Sequence, residues 1–200
     1  MTIEFLKNHH VWDKTKQLLQ KYKKEWSGSD VPIFIFPIPS SMFRQGDKNG
    51  YSFEDKMFLF LPANISDEEL EALFVHEYHH ICRLKKTGKR VLEHTLLDSI
   101  IMEGLAEHAV LDYCGKQYLL RWNSLYSTEA LEKIWIMEYK PNLNVKYGER
   151  LHGQLLYGRP FSRPLLGYTM GFYLVDRYRK NNENFSIPSS ISVPSEQFII

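Results

Sequence analysis

Residues 66–85 read SDEELEALFVHEYHHICRLK, and the fold turns on what this stretch becomes. It opens with a helix start: Ser66 can accept from the amide of Glu69 while the Glu69 carboxylate reaches back, and Ile65 can staple onto Leu70. The spacing predicts a helix from 67 to about 85. Its interior, LEALFVHEYHHICRL, is apolar on nearly every side, as expected of a helix packed between a sheet and other helices. On that helix His76 and His80 stand four residues apart and project from one face, where their imidazoles can hold a single metal ion. Glu77 then lies at the rim of the same cleft. In an HExxH arrangement it takes the proton from a water that the ion has acidified. Burying His76, Glu77, His79 and His80 together without a shared partner would be costly, and a cation removes that cost.

A catalytic zinc takes three protein ligands and keeps one position open. The HExxH zinc sites that take a third histidine place a glycine seven residues, and that histidine ten residues, after the first ligand; here Arg83 and Lys86 occupy those positions, which excludes that arrangement. A second long helical pattern, Val91 to Tyr113 with Gly115 as a left-handed cap, carries Glu103 and Glu107 one turn apart within IIMEGLAEHAV. Unpaired carboxylates in so apolar a segment would be expensive, so Glu103 reads as the third ligand. Glu107 is placed to accept from the far nitrogen of a ligating histidine, fixing its tautomer. Gly104 is expected to let the two metal-bearing helices approach closely. His79 points away from His80 and reads as core packing or a hydrogen bond, His108 has no stronger claim, and His94 and Asp98 read as a simple pair.

Upstream, residues 3–25 have apolar side chains at Phe5, Val11, Trp12, Leu18, Leu19 and Tyr22 and read as one surface helix. Val31 to Ile38, with Pro32 and Pro37, suits a short strand. Gly46, Asp47, Lys48, Asn49 and Gly50 supply turn chemistry, and Met57 to Leu61 reads as a second, buried strand. Downstream come a helix near Thr128 to Tyr139, a stretch from 141 to 164 punctuated by Pro and Gly, and a helix from about Leu165 to Tyr178. The tail after Asn181 is expected to be loosely ordered except where its last apolar residues dock. One domain is expected over 1–200: an N-terminal helix and small sheet to 63, a metal-binding helix pair over 64–115, a helical part over 116–181, and a tail over 182–200.

With 44% hydrophobic and 14% aromatic residues the chain has ample apolar surface for a core. Its 25 basic and 24 acidic side chains nearly cancel, which argues against nucleic acid or an anionic membrane surface as partner. The basic runs Lys14 to Lys24 and Lys85 to Arg90 read as solvated faces. No apolar run approaches the roughly 18 residues of a spanning helix, and no secretory signal pattern opens the chain. A soluble cytoplasmic protein is expected, with Cys82 and Cys114 reduced and packed.

With these residues in hand, the chain resembles the gluzincin division of zinc peptidases, in which HExxH is followed on a later helix by a glutamate ligand. More closely, it is similar to a bacterial family of predicted zinc-dependent proteases, otherwise a domain of unknown function, on HEYHH at 76–80, EGLAE at 103–107 and GYTMG at 167–171. The resemblance implies an α+β, zincin-like fold: a small twisted sheet, the HExxH helix beneath it and a mainly helical C-terminal part. It also implies one zinc ion and a peptide or protein substrate, bound along an edge strand. Gly50 to Phe53 is the candidate for that edge, with Met57 to Leu61 inside it. Tyr168, in the GYxxG segment, is the candidate donor to the oxyanion, with Tyr157, His152, Arg159 and Arg163 in reserve. The residues leave two alternatives open: a non-catalytic zinc-binding or interaction protein on the same scaffold, and a metallohydrolase of non-peptide substrates.

Overall fold

The capping box forms as the sequence predicts. Ser66 Oγ accepts from the Glu69 amide and Glu69 Oε2 from the Ser66 amide, both at 3.1 Å, and they open helix α3, Asp67–Thr87. Gly88, at φ 65°, ends it in the left-handed conformation that glycine adopts without steric cost. The computed structural model describes residues 2–38, 48–119, 126–158 and 163–199; Gly46 and Asp47 of the expected turn lie outside the described residues. Among these the chain is mainly helical, with eight α-helices and one three-stranded sheet, a mixed α+β architecture.

The sheet comprises β1, Ile33–Pro37, β2, Asn49–Ser52, and β3, Met57–Leu61, in the order β1-β3-β2. β3 is central, parallel to β1 and antiparallel to β2, so β2 is an edge as expected. Met57, Leu59 and Leu61 turn inward and are fully buried. The opposite face is aromatic. Phe34 stacks on Phe58 and Phe36 on Phe60 at 5.2 and 5.3 Å between ring centres, with Tyr51 and Phe53 edge-on to β3.

The N-terminal region is two helices, not one: α1, Thr2–Asn8, and α2, Val11–Glu25, are separated at His10, whose φ of 52° no helix interior tolerates. They are also less superficial than their polarity suggested, because Leu6, Tyr22 and the following Trp26 are fully buried against α3 and the sheet.

The second long pattern also starts later than expected. Val91–Glu93 is a turn of 3-10 helix, and α4 runs Leu96–Tyr113 from its own capping box, Thr95 with Asp98. Asp98 accepts hydrogen bonds from Thr95, Lys89 and Ser195, so it acts on His94 through its charge and not through a hydrogen bond among the described residues. Gly115 follows the helix at φ 102° and ψ 162°, an extended conformation open to glycine, so it does not form the left-handed cap expected of it.

Helix α5, Thr128–Ile134, continues as a π-helical turn over Trp135–Tyr139. The stretch from 141 to 164, expected to be irregular, contains α6, Arg150–Tyr157; α7 is Leu166–Lys180. The tail is packed. It forms α8, Ile187–Ser190, and a 3-10 turn over Ser195–Ile199, and it buries Ile187, Ile191 and Phe198. Arg83 holds it, donating to the carbonyls of Ile191 at 3.1 Å and Ser190 at 3.4 Å and to Ser195 Oγ at 3.2 Å. The periodicity of so polar a segment hides this, because the partner that orders it is a buried cation more than a hundred residues upstream.

Two apolar clusters result: one joins the sheet with α1, α2, α3 and α8, the other joins α4 to α7 and Phe198. Helix α4 contributes to both, with Ala109 and Val110 in the first and Leu96, Ile100 and Leu105 in the second. No helix among the described residues is long and apolar enough to cross a membrane.

Candidate metal centre

Helices α3 and α4 pack side by side, and the turns bearing His76, His80 and Glu103 face one another. Glu103 Oε2 lies 3.2 Å from His76 Nε2 and 3.4 Å from His80 Nε2, and the two rings stand at 84° with centres 4.6 Å apart. Tetrahedral zinc with bonds of about 2.0–2.1 Å sets neighbouring ligand atoms roughly 3.3 Å apart, so the carboxylate oxygen stands from each imidazole nitrogen at the spacing such an ion would require. Among the described residues this is the trio of His and carboxylate side chains whose ligand atoms converge within 4.8 Å.

The far nitrogen of His76, Nδ1, meets Glu107 Oε1 at 3.1 Å. Burial opposes charging His76, but the hydrogen bonds to Glu103 and Glu107 outweigh it and push its pKa well above the usual range. Burial likewise opposes ionising Glu103, and the charge of His80 and the bonds from His76 and His80 outweigh it, holding Glu103 well below the ordinary carboxylate range. The two carboxylates thus stabilise positive charge between the helices, a role the His76 proton fills here and a divalent ion would take over. His80 differs from His76: its Nδ1 is buried with no hydrogen-bond partner among the described residues.

Glu77 is nearly buried beneath the edge strand. Ser52 Oγ donates toward its carboxylate Oε2 at 2.5 Å and lies 2.9 Å from its main-chain oxygen. Gly50 passes so close that a Cβ there would stand 2.5 Å from Cγ and Cδ of Glu77. Sequence reading missed Ser52. The signal available was strand period two, since residues 50 and 52 share one face of β2.

Tyr168 extends from the second residue of the GYTMG segment toward this centre. Burial raises the pKa of its hydroxyl first, and then the negative charge of Glu103, so the phenol stays protonated and able to donate. The two glycines of that segment set the approach. A Cβ on Gly167 would meet Leu156 Cα at 2.6 Å, and one on Gly171 would meet the Ile100 carbonyl at 1.8 Å. Gly104 corrects an expectation here: a Cβ on it would stand 2.3 Å from the carbonyl carbon and oxygen of Gly171, so it brings α4 against α7, not against α3.

Of the reserve donors, Tyr157 is 54% exposed with its ring 6.4 Å from that of Tyr168, and burial followed by the Glu103 charge raises its pKa. His152 Nε2 is 3.0 Å from Ser99 Oγ, and Arg163 pairs with Glu138 at 2.5 Å. Arg159 lies outside the described residues. His79 is fully buried edge-on to Trp26, both nitrogens without a hydrogen-bond partner among the described residues, and His108 Nε2 bonds the Phe172 carbonyl at 3.1 Å. Cys82 is buried and Cys114 half-buried, both as free thiols, and burial raises Cys82 to about 11 and Cys114 to about 12, leaving neither as a thiolate near neutral pH.

Comparison with known proteins agrees with a zinc centre. The chain is 37% identical over 202 residues to the uncharacterized protein YjaZ of Bacillus subtilis (strain 168), covering 99% of this chain and 77% of that protein. No solved structure matches. A family model matches residues 11–200, and the chain belongs to that family, described as Predicted Zn-dependent protease (DUF2268).

Proposed function

We propose that the chain is a zinc-dependent peptidase of gluzincin type on a zincin-like scaffold, with His76, His80 and Glu103 as ligands of one ion and Glu77 as general base. The observation that carries the reading is the spacing of the two imidazole nitrogens from the Glu103 oxygen, 3.2 and 3.4 Å, on two buried adjacent helices. When bound, zinc supplies an acidified water and polarises the scissile carbonyl. Glu77 takes a proton from water at the rim and delivers it to the leaving amine, while Glu107 keeps His76 in the tautomer that ligates through Nε2. The neutral Tyr168 hydroxyl donates to the oxyanion.

The edge strand fits an extended peptide. Phe53 N bonds Lys56 O, and with the alternation of an antiparallel pair this turns the peptide groups of Gly50 and Ser52 away from β3, toward the edge that no strand pairs among the described residues. A substrate backbone paired there runs directly over Glu77. The non-catalytic reading would call for a fourth protein ligand such as His79, whose ring instead packs on Trp26. Glu77→Gln tests the reading: zinc content should match the wild type while cleavage of a quenched-fluorescent peptide library falls by at least about a hundredfold. Retained hydrolysis with retained zinc would remove Glu77 from the mechanism.

A further inference from the structure

The Glu77 carboxylate is confined from two sides by the same strand. Ser52 Oγ stands 2.5 Å from Oε2 and 2.9 Å from the main-chain oxygen of the same residue, and Gly50 leaves room for Cγ and Cδ only because it lacks a Cβ. A hydroxyl carries one proton, so Ser52 donates either to the carboxylate or to the main-chain oxygen, and both acceptors belong to Glu77. Glutamate has three side-chain torsions, and among the described residues no other hydrogen bond ties this carboxylate to one rotamer.

We infer that Ser52 is the positioning residue for Glu77: its hydroxyl, with bare Gly50 beside it, fixes the rotamer of the base and ties that base to the edge strand. The inference rests on the reading of Glu77 as general base. Gly50 and Ser52 are also the residues whose peptide groups face away from β3, so a peptide paired with β2 bears on the two residues that hold the carboxylate. Substrate register and base orientation are therefore set by one four-residue strand.

Ser52→Ala and Ser52→Thr test this in the zinc-loaded 200-residue chain, with Glu77→Gln in parallel. Ser52→Ala should bind zinc like the wild type, since Ser52 touches no ligand. Its crystal structure should show the Glu77 carboxylate spread over more than one rotamer, and kcat on the quenched-fluorescent peptide library should fall about tenfold to a hundredfold with KM little changed. Ser52→Thr keeps the hydroxyl and should recover most of kcat and the single rotamer. A single wild-type rotamer in Ser52→Ala overturns the inference, and so does wild-type kcat. Should no library member be cleaved by the wild type, the rotamer comparison decides alone. An inactive Glu77→Gln beside a fully active Ser52→Ala sinks the positioning role and leaves the base in place, whereas an active Glu77→Gln removes the base itself.

Discussion

Each ring nitrogen of His76 faces a different carboxylate of α4, Nε2 meeting Glu103 and Nδ1 meeting Glu107. The two glutamates are thus predicted to differ in consequence. Glu103→Ala should abolish stable zinc binding, whereas Glu107→Gln should weaken it about tenfold to a hundredfold through misoriented His76. Competition with a chromophoric chelator separates the two outcomes, and equal affinities for Glu107→Gln and wild type would deny the orienting role. A second expectation concerns His94, His108 and His152, whose pKa values are lowered, chiefly by burial. Unfolded histidine titrates near about 6.5, so below that pH the unfolded chain binds more protons at these positions. Their contribution is present above about 6.5 and is lost as pH falls, at up to about 1.4 kcal/mol per pH unit for each histidine until its folded pKa is reached. His76 works against this trend, because its raised pKa keeps it protonated in the folded metal-free protein while the unfolded ring takes up its proton only as pH falls through about 6.5, but it is one ring against three. Urea midpoints of metal-free protein should therefore drop between pH of about 6.5 and about 5.5; equal midpoints would mean these rings are not held neutral. The pairing of HExxH with Glu103 and Glu107 was legible because helical spacing and the cost of buried charge are local arguments. Ser52 was not, because its partner is 25 residues away on another element.

Among the elements, the contact of α4 with α7 carries the tightest packing. Gly104 and Gly171 face each other with no space for a methyl group on either. Gly104→Ala should destabilise by about 2–3 kcal/mol or more, since overpacking forces two backbones apart, even though alanine is the better helix former. Thermal melts check this, and an unchanged or raised Tm would show that the helices yield freely. The expectation that Gly104 served the α3 approach failed for a geometric reason: neighbouring helical residues point about 100° apart, so Glu103 and Gly104 cannot serve the same partner. Helix α3 itself was legible to within two residues because both its ends carry explicit signals, a capping box and a glycine. The breaks at His10 and Thr95 were harder to see, since helix-compatible residues flank both and tertiary contacts decide there.

At the scale of the molecule, the tail from Ile187 onward closes the structure by laying Ile191 and Phe198 into the two apolar clusters while Arg83, Asp98 and Ser195 hold it. Truncation after Asn181 removes Ile187, Ile191 and Phe198, each contributing about 1.5–3 kcal/mol, a sum comparable to the whole stability of a domain. The shortened chain should show no cooperative urea transition by circular dichroism, and a wild-type transition would make the tail dispensable. The sheet poses the opposite problem, for its outer aromatic face and the β2 edge together form a template on which another chain could grow. Asn49 answers part of it: its Oδ1 accepts from the Gly50 amide at 2.9 Å, the amide that alternation turns outward. The edge is kept to four residues and its outward Gly50 amide already has a side-chain partner, which limits strand-to-strand growth between copies of the chain.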